Sequence, residues 1–355
     1  MKTDVLGLDI GGANIKYCLI RISEDGYRVH KIGSIHFPIW IRGKESLPKT
    51  LLKMKNEILM RKDPNFVALT MTAELSDVYF TKREGVEHVI KSVMEIFDAS
   101  DVYIMTVNAK FTDPEGGIRN PMLVAAANWP ATARLIGRKL STSLMIDVGS
   151  TTTDIIPIKD GYPCTRGKTD TERLMYGELV YTGILRTPIT AITHTVPLSG
   201  TMCRISAEKF ALSGDVHLIL GNITEDEYTT ETADNRGKSR KECLARLARV
   251  ICADIETISE DELINIAKYI YAKQMSQITE ALLQVLGTHK FLNPKTTPVV
   301  VLGIGKNILA RPAATYAGFA KIFDFYDLWK CPSAETAFAV ALLLADDMRI
   351  LKKLE

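Results

Sequence analysis

The sequence predicts an α/β protein of two similar halves, the second carrying a mainly helical insertion. Three features lead there. A pattern of strand, tight turn and strand opens the chain as Val5-Leu-Gly-Leu-Asp-Ile-Gly-Gly-Ala-Asn-Ile-Lys16, and it recurs as Ser143-Leu-Met-Ile-Asp-Val-Gly-Ser-Thr-Thr-Thr-Asp-Ile-Ile-Pro-Ile158. Each copy reads as an apolar strand, an Asp, one apolar residue, a Gly and a small polar tip before a second strand, which is a hairpin pattern. Late in the chain, Pro298 to Ile304 is a β-branched run with glycines at Gly303 and Gly305, a buried strand feeding a glycine turn. At 355 residues the chain is also long for one core and comfortable for two.

Composition narrows the function classes. With 46% hydrophobic and 24% charged residues and a net charge of +2, nothing suggests nucleic acid or an anionic membrane as the main partner. The longest basic cluster, Arg236 to Lys241, is short and interrupted. Six cysteines, at positions 18, 164, 203, 243, 252 and 331, form no CxxC pair and lie near no histidines at zinc-finger spacing, so they read as scattered reduced thiols. The start lacks the basic-then-apolar order of a signal peptide, and no apolar run reaches the roughly 18 residues of a membrane span. A cytoplasmic, soluble protein is expected.

Between the hairpins, Asn65 to Met71 and Val102 to Val107 read as buried strands and Glu84 to Phe97 as an amphipathic helix. Met122 to Leu140 is alanine-rich and helical in character, with Pro130 as a kink or a helix start. The insertion, from about 170 to 296, has its best element at Glu260 to Leu286. There Ser259 and Glu262 form a capping box, Leu263, Ile266, Ile270, Ile278, Leu282 and Val285 recur at helical spacing, and Gly287 supplies the stop. Residues 224–241 are polar and apolar-poor, hence a loop. Pro332 to Ala345 is a strongly apolar helix.

The hairpins carry the chemistry. A tip of Gly11, Gly12 and Asn14, or of Gly149, Ser150, Thr151 and Thr152, presents backbone N–H groups and small polar side chains around a concavity that suits phosphate oxygens. Asp9 and Asp147 just before the tips would repel a bare phosphate. They make sense when Mg²⁺ sits between carboxylate and phosphate, so both are metal candidates. Lone Asp-x-Gly turns are commonly only turns; two in order with a late glycine strand are harder to dismiss.

Taken together, Asp9-Ile-Gly-Gly, Asp147-Val-Gly-Ser-Thr-Thr-Thr-Asp154 and Leu302-Gly-Ile-Gly-Lys resemble the two phosphate loops and the adenosine motif of the actin, Hsp70 and sugar-kinase superfamily. The resemblance implies two ribonuclease-H-like domains around a central cleft, here 1–138 and 139–355, each with a five-stranded mixed sheet. It also implies nucleotide or phosphate contacts at Gly303 and Gly305. Such a fold does not fix a reaction.

Narrower strings follow: Met71-Thr-Ala-Glu-Leu-Ser-Asp77, Ala125-Ala-Ala-Asn-Trp-Pro130, Thr169-Asp-Thr-Glu-Arg-Leu174, Gly177-Glu-Leu-Val-Tyr-Thr-Gly183, Arg186-Thr-Pro188 and Thr232-Ala-Asp-Asn-Arg-Gly-Lys-Ser239. With the loops they are similar to the hydantoinase/oxoprolinase-like branch, and within it to the archaeal methanofuran-biosynthesis transferases of methanogenic one-carbon metabolism. A glycine is expected in that family where Asn235 stands. The resemblance implies an ether-forming transferase, in which the phenol oxygen of γ-glutamyltyramine displaces diphosphate from an aminomethylfuran-methyl diphosphate. Mg²⁺ and the loops would then neutralise the leaving group.

Under that implication Asp9, Asp147 and Asp154 hold metal or water, and the phenol benefits from a general base. Glu74 is the first candidate, or alternatively a helix cap or a partner of a surface cation; Asp77 is the reserve. Arg166 and Arg186 could bind glutamyl carboxylates or be plain surface arginines. Lys16 is either an extra cation or, the preferred reading, solvated past the hairpin tip. His194 and His217 lie in apolar surroundings and read as packed or capped, and Tyr176 and Tyr181 as core. Expected partners are small molecules, with no nucleic acid and no membrane, and a homodimer is left open. Two rivals remain: an ATP-dependent kinase or oxoprolinase-like hydrolase, and a non-catalytic nucleotide-gated filament or regulator.

Overall fold

Both hairpins form where the repeated pattern placed them. The structure, a computed structural model, describes residues 2–60, 62–331 and 333–351. The chain divides into two compact units, one made of Met1–Thr142, Ile158–Asp170 and Phe325–Glu355, the other of Ser143–Pro157 and Thr171–Asp324.

In the first unit, strands β1 (Thr3–Ile10), β2 (Asn14–Ser23), β3 (Gly26–His36), β4 (Phe66–Met71), β5 (Val102–Met105) and β6 (Phe111–Thr112) make one sheet in the order β3-β2-β1-β4-β5-β6. β1 runs antiparallel to β2 and parallel to β4, so that Asp9 lies opposite both Lys16 and Thr70. Alternation along β1 sends Leu6, Leu8 and Ile10 into a core shared with helices Leu47–Ile58 and Lys82–Met94. The other face, at Gly7, meets helix Glu335–Asp347, where any Cβ would overlap the Ala337 carbonyl oxygen. Buried Arg134, on helix Trp129–Lys139, donates from Nη1 to Asp347 Oδ2 at 2.8 Å and joins the two helices.

The second unit repeats the plan. Here β7 (Ser143–Val148), β8 (Thr153–Lys159), β9 (Tyr162–Pro163), β10 (Leu179–Val180), β11 (Thr195–Leu198), β12 (Thr201–Arg204), β13 (Val299–Leu302) and β14 (Ile322–Asp324) follow in chain order. The main sheet runs β10-β8-β7-β13-β14, with β7, β13 and β14 parallel. β9 pairs with the Ile158–Lys159 end of β8, within the first unit. As in the first sheet, the hairpin's opening strand is flanked by its return strand on one side and two parallel strands on the other. Leu263, Ile266, Ile270, Leu282 and Val285 of helix Glu260–Thr288 bury their side chains in one core with Ile146, Val148, Val299 and Val301.

Several expectations change. The boundary expected at 138/139 falls at 142/143, and the units are discontinuous, because Ile158–Asp170 and the C-terminal helix return to the first sheet. The first sheet has six strands rather than five. The insertion contains a hairpin, β11 with β12, too short to stand out as alternation. Met122 to Leu140 is two helices, Pro121–Val124 and Trp129–Lys139, separated where Ala126 takes φ 51°, and Pro130 sits in the first turn of the second. Helix Glu260–Thr288 runs through Gly287, which has open space around it, to a cap at His289. Its capping box is half formed: Ser259 accepts from Glu262 N–H at 3.3 Å, while the Glu262 carboxylate accepts from Ser199. Pro332, the expected start of the last helix, lies outside the described residues; that helix begins at Glu335. In the polar loop, Asp234 accepts from Arg246 and Arg249, and Asn235 adopts φ 57°, the left-handed conformation for which a glycine would be used.

Candidate active site

Each unit carries an Asp-x-Gly turn, at Asp9–Gly11 and at Asp147–Gly149, and the two turns are built alike. Gly11 N–H donates to Asn14 O at 2.9 Å, and Gly149 N–H donates to Thr152 O at 2.9 Å. In the first turn the carbonyls of Gly12 and Ala13 accept from Ile39 and Phe37, which anchors the tip from below. In the second, Gly149 O accepts from Ile184, and Ser150 O from Leu185 and Arg186. Among the described residues, the backbone N–H groups of Gly12, Ala13, Ser150 and Thr151 donate to no backbone partner. Half-buried N–H pairs at a glycine turn are the donor set that phosphate oxygens take.

Asp9 closes β1 beneath the first turn and is buried. Its Oδ2 lies 3.7 Å from Lys16 Nζ, while its Oδ1 is buried with no hydrogen-bond partner. Burial pushes its carboxyl above the usual carboxylate range, and Lys16 only partly opposes this. The preferred reading of Lys16 is therefore corrected: with one residue on each side of a tight turn, hairpin register brings it back onto Asp9. Thr70 Oγ1, in register on β4, is also buried and unbonded, and it was missed because Thr70 sits in an otherwise apolar strand.

A buried carboxylate oxygen without a donor fits a cation, and Mg²⁺ needs only one or two carboxylates when phosphate and water complete its shell. Among the described residues, no group of three or more His, Cys, Asp or Glu could hold a metal ion. Asn14 lies at the mouth of the first turn, its Oδ1 3.4 Å from His36 Nδ1.

Glu74 follows β4 by three residues and is 1% exposed. Oε1 accepts from Ala126 N–H at 2.8 Å, and Oε2 is buried without a partner. Gly85 makes the burial possible, since a Cβ there would lie 2.6 Å from Glu74 Cα. Burial pushes the carboxyl up to about 7; its own backbone N–H, Lys82 and Ala126 N–H pull against this, and Asp170 adds to it. The alternative of a surface cation pair does not match these surroundings. Asp77 is exposed.

In the second unit, Asp147 is half-buried at the end of β7. Gly303, at φ 81°, allows its turn to lie against Asp147 Oδ1 and the Val148 carbonyl, where any Cβ would overlap both. Gly305 N–H donates to Val148 O at 2.9 Å. Gly183 has the same role behind the tip: a Cβ would come within 2.6 Å of Ser150 C and Thr151 N. Gln274 then bonds Thr182 Oγ1 at 2.9 Å, Gly183 O at 2.8 Å and His217 Nε2 at 2.9 Å, a buried chain that sequence reasoning could not assemble. Burial lowers His217 to about 4, so it is neutral there.

Asp154 forms a buried ion pair with Arg173, which also donates to Glu178 O. Its charge is matched by a fixed guanidinium, an arrangement that fits holding β8 and its neighbours together better than holding metal or water. Arg186 is half-buried beside Ser150, and Arg166 is exposed in the first unit, so the two lie in separate units. Against expectation, His194 and Tyr181 are exposed.

Two sheets with matching strand order, each with an Asp and a glycine turn at the end of its central strand, give the chain an α/β fold of the actin, Hsp70 and sugar-kinase type. The nucleotide-free structure of an acetone carboxylase shares this fold, with a TM-score of 0.53 and 9% identity, covering 96% of this chain and 70% of that one. The chain belongs to the hydantoinase/oxoprolinase family, which it matches over residues 65–349. It is 41% identical over 345 residues to the (4-{4-[2-(γ-L-glutamylamino)ethyl]phenoxymethyl}furan-2-yl)methanamine synthase of Methanocaldococcus jannaschii, covering 97% of this chain and 98% of that protein. A synthase of the same name from Methanococcus vannielii is 40% identical over 209 residues, covering 58% of this chain and 91% of that protein. Among the described residues, no helix is long and apolar enough to cross a membrane.

Proposed function

We propose that this chain is a synthase of methanofuran biosynthesis that joins γ-glutamyltyramine to an aminomethylfuran-methyl diphosphate as an aryl ether, releasing diphosphate. The observation that carries the reading is end-to-end identity of 41% with a synthase whose name describes that ether. In the reaction the phenol O–H bond breaks, its proton passes to a base, the oxygen forms a bond to the furan-methyl carbon, and the bond from that carbon to the diphosphate oxygen breaks.

Glu74 is the base in this reading. Phenol ionises near pH 10, and a buried carboxylate with an acceptor oxygen unbonded can take its proton as the C–O bond forms. The N–H groups at 12–13 and 150–151 are assigned to the leaving phosphates, with Arg186 beside the second turn. Asp9 and Asp147 are assigned to Mg²⁺, which would supply charge neutralisation for the departing diphosphate. Orphaned Asp9 Oδ1 supports the first of these assignments.

The test is to incubate the purified protein with Mg²⁺, the furan-methyl diphosphate and γ-glutamyltyramine labelled with heavy oxygen at the phenol. The label is expected in the ether and not in diphosphate. Label in the diphosphate, or no ether from protein that releases phosphate from ATP, rules the reading out.

A further inference from the structure

The N–H groups of Ser150 and Thr151 are aimed from behind. Each belongs to a planar trans peptide, in which N–H and C=O point in opposite directions, so whatever holds the carbonyl also aims the donor. The carbonyls of these two peptides are Gly149 O and Ser150 O. Gly149 O accepts from Ile184 N–H at 3.0 Å, and Ser150 O from Leu185 and Arg186 N–H at 3.0 and 2.9 Å. Residues 182–187 thus form a strap behind the turn, and Gly183 lets the strap lie flush against it, since a Cβ there would come within 2.6 Å of Ser150 C and Thr151 N.

Two side chains anchor the strap in turn. Ser213 Oγ donates to Gly183 O at 2.9 Å and accepts Thr187 N–H at 3.1 Å. Gln274, 1% exposed on helix Glu260–Thr288, donates from Nε2 to Gly183 O at 2.8 Å and to Thr182 Oγ1 at 2.9 Å. The orientation of its amide is fixed from the other side. Asn222 Nδ2 donates to His217 Nδ1 at 3.1 Å, which puts the proton of this buried, neutral imidazole on Nε2, and that N–H donates to Gln274 Oε1 at 2.9 Å. With Oε1 taken, the amide presents only its NH2 to the strap. Gln274 also stands on the buried stripe of its helix between Ile270 and Ile278, where an apolar residue would avoid the cost of burying an amide. Fully bonded, such a buried polar chain rigidifies what it touches.

We propose that Gln274 is a positioning residue for the leaving group: through Thr182 and Gly183 it fixes the strap, and the strap aims the Ser150 and Thr151 N–H pair at the departing diphosphate. The inference rests on the ether-synthase reading for the identity of that leaving group, and assigns within it a residue that acts only through other residues. Preorganised N–H donors stabilise developing charge only while their aim is kept, and small misplacements are costly.

The test compares wild type with Gln274→Met, which keeps the bulk and loses every hydrogen bond, and Gln274→Glu, which keeps the acceptor for His217 and loses the NH2. Val285→Ala, a buried apolar position on the same helix, is the control, because its cavity lowers stability without touching the strap. Calorimetric melting follows stability, and titration with inorganic diphosphate in the presence of Mg²⁺ is the first functional readout. Both Gln274 variants are expected to bind diphosphate about 10-fold or more weakly than wild type, and Val285→Ala within about 2-fold of it. Turnover is the second readout: in the Gln274 variants kcat/KM for the furan-methyl diphosphate falls by about 10-fold or more, while KM for γ-glutamyltyramine stays within about 2-fold. A folded Gln274 variant that melts lower yet binds diphosphate as wild type does would reduce the residue to a structural part and overturn the proposal. So would a control that weakens diphosphate equally, or a wild type with no affinity for diphosphate. Diphosphate binding that is strong in wild type and lost in the variants, with no ether formed by any of them, supports the positioning role and removes the synthase reading instead.

Discussion

Glu74 Oε1 accepts the backbone N–H of Ala126 at 2.8 Å, and Oε2 of the same carboxyl, equally buried, accepts nothing. Half of the group is fixed and half is open, which is the condition for a positioned base. With its carboxyl pushed up to about 7, kcat/KM should rise with pH through that value and level off above it. Glu74→Gln should lower kcat by about 100-fold or more, within the range of general-base contributions. A pH profile flat between 5 and 9 in wild type would contradict the role.

The same burial makes Glu74 a cost to stability. Its folded value lies above the 4.5 of an unfolded glutamate, so the folded chain holds the proton more tightly. The stabilisation this brings is complete below about pH 4.5 and disappears as pH rises toward about 7, an effect of up to about 3 kcal/mol. Glu74→Gln keeps an acceptor for Ala126 and removes the buried charge. Its melting temperature should exceed that of wild type at pH 8 and approach it at pH 5, measured by calorimetry; a lower value at pH 8 would count against the argument.

Asp9→Asn should reduce Mg²⁺-dependent turnover by about 100-fold or more while leaving the melting temperature at or above that of wild type, since a half-paired buried charge is lost. Asp147→Asn is expected to act in the same direction. Full activity in both variants would remove the metal assignment.

Asp154 is expected to behave differently. Breaking a buried ion pair from one side typically costs about 3–5 kcal/mol, so Asp154→Asn and Arg173→Met should each lower the urea midpoint markedly. Residual folded Asp154→Asn protein should retain most of its kcat. Loss of kcat without loss of stability would restore Asp154 to the catalytic set.

Two glycines give an internal contrast. Gly303→Ala would force a side chain onto Asp147 and the Val148 carbonyl at a positive φ, and should cost about 1–3 kcal/mol together with activity. Gly287→Ala, in open space within a helix, should stabilise by about 0.5–1 kcal/mol and leave turnover unchanged. Melting curves and initial rates on the two proteins distinguish the effects.

What could be read from sequence was local. Asp, Gly and small-residue tips specify a tight turn through backbone geometry within six residues, so both turns and the strands around them were legible. The Lys16 contact follows from the same register, since the turn folds β2 back along β1 and sets Lys16 opposite Asp9. Partners distant in sequence were hidden: Arg173 for Asp154, Ala126 for Glu74, and the return of helix Glu335–Asp347 to the first sheet depend on tertiary packing that no short spacing encodes. Thr70 escaped notice because an isolated hydroxyl in an apolar strand reads as strand propensity.

The decisive measurement is the stoichiometry of one reaction: purified protein, Mg²⁺, γ-glutamyltyramine and the furan-methyl diphosphate, with no nucleotide present. Ether and diphosphate should accumulate in equal amounts and at equal rates. Absence of the ether without ATP, accompanied by phosphate release once ATP is added, would show that the loops hold a nucleotide for transfer rather than a leaving group.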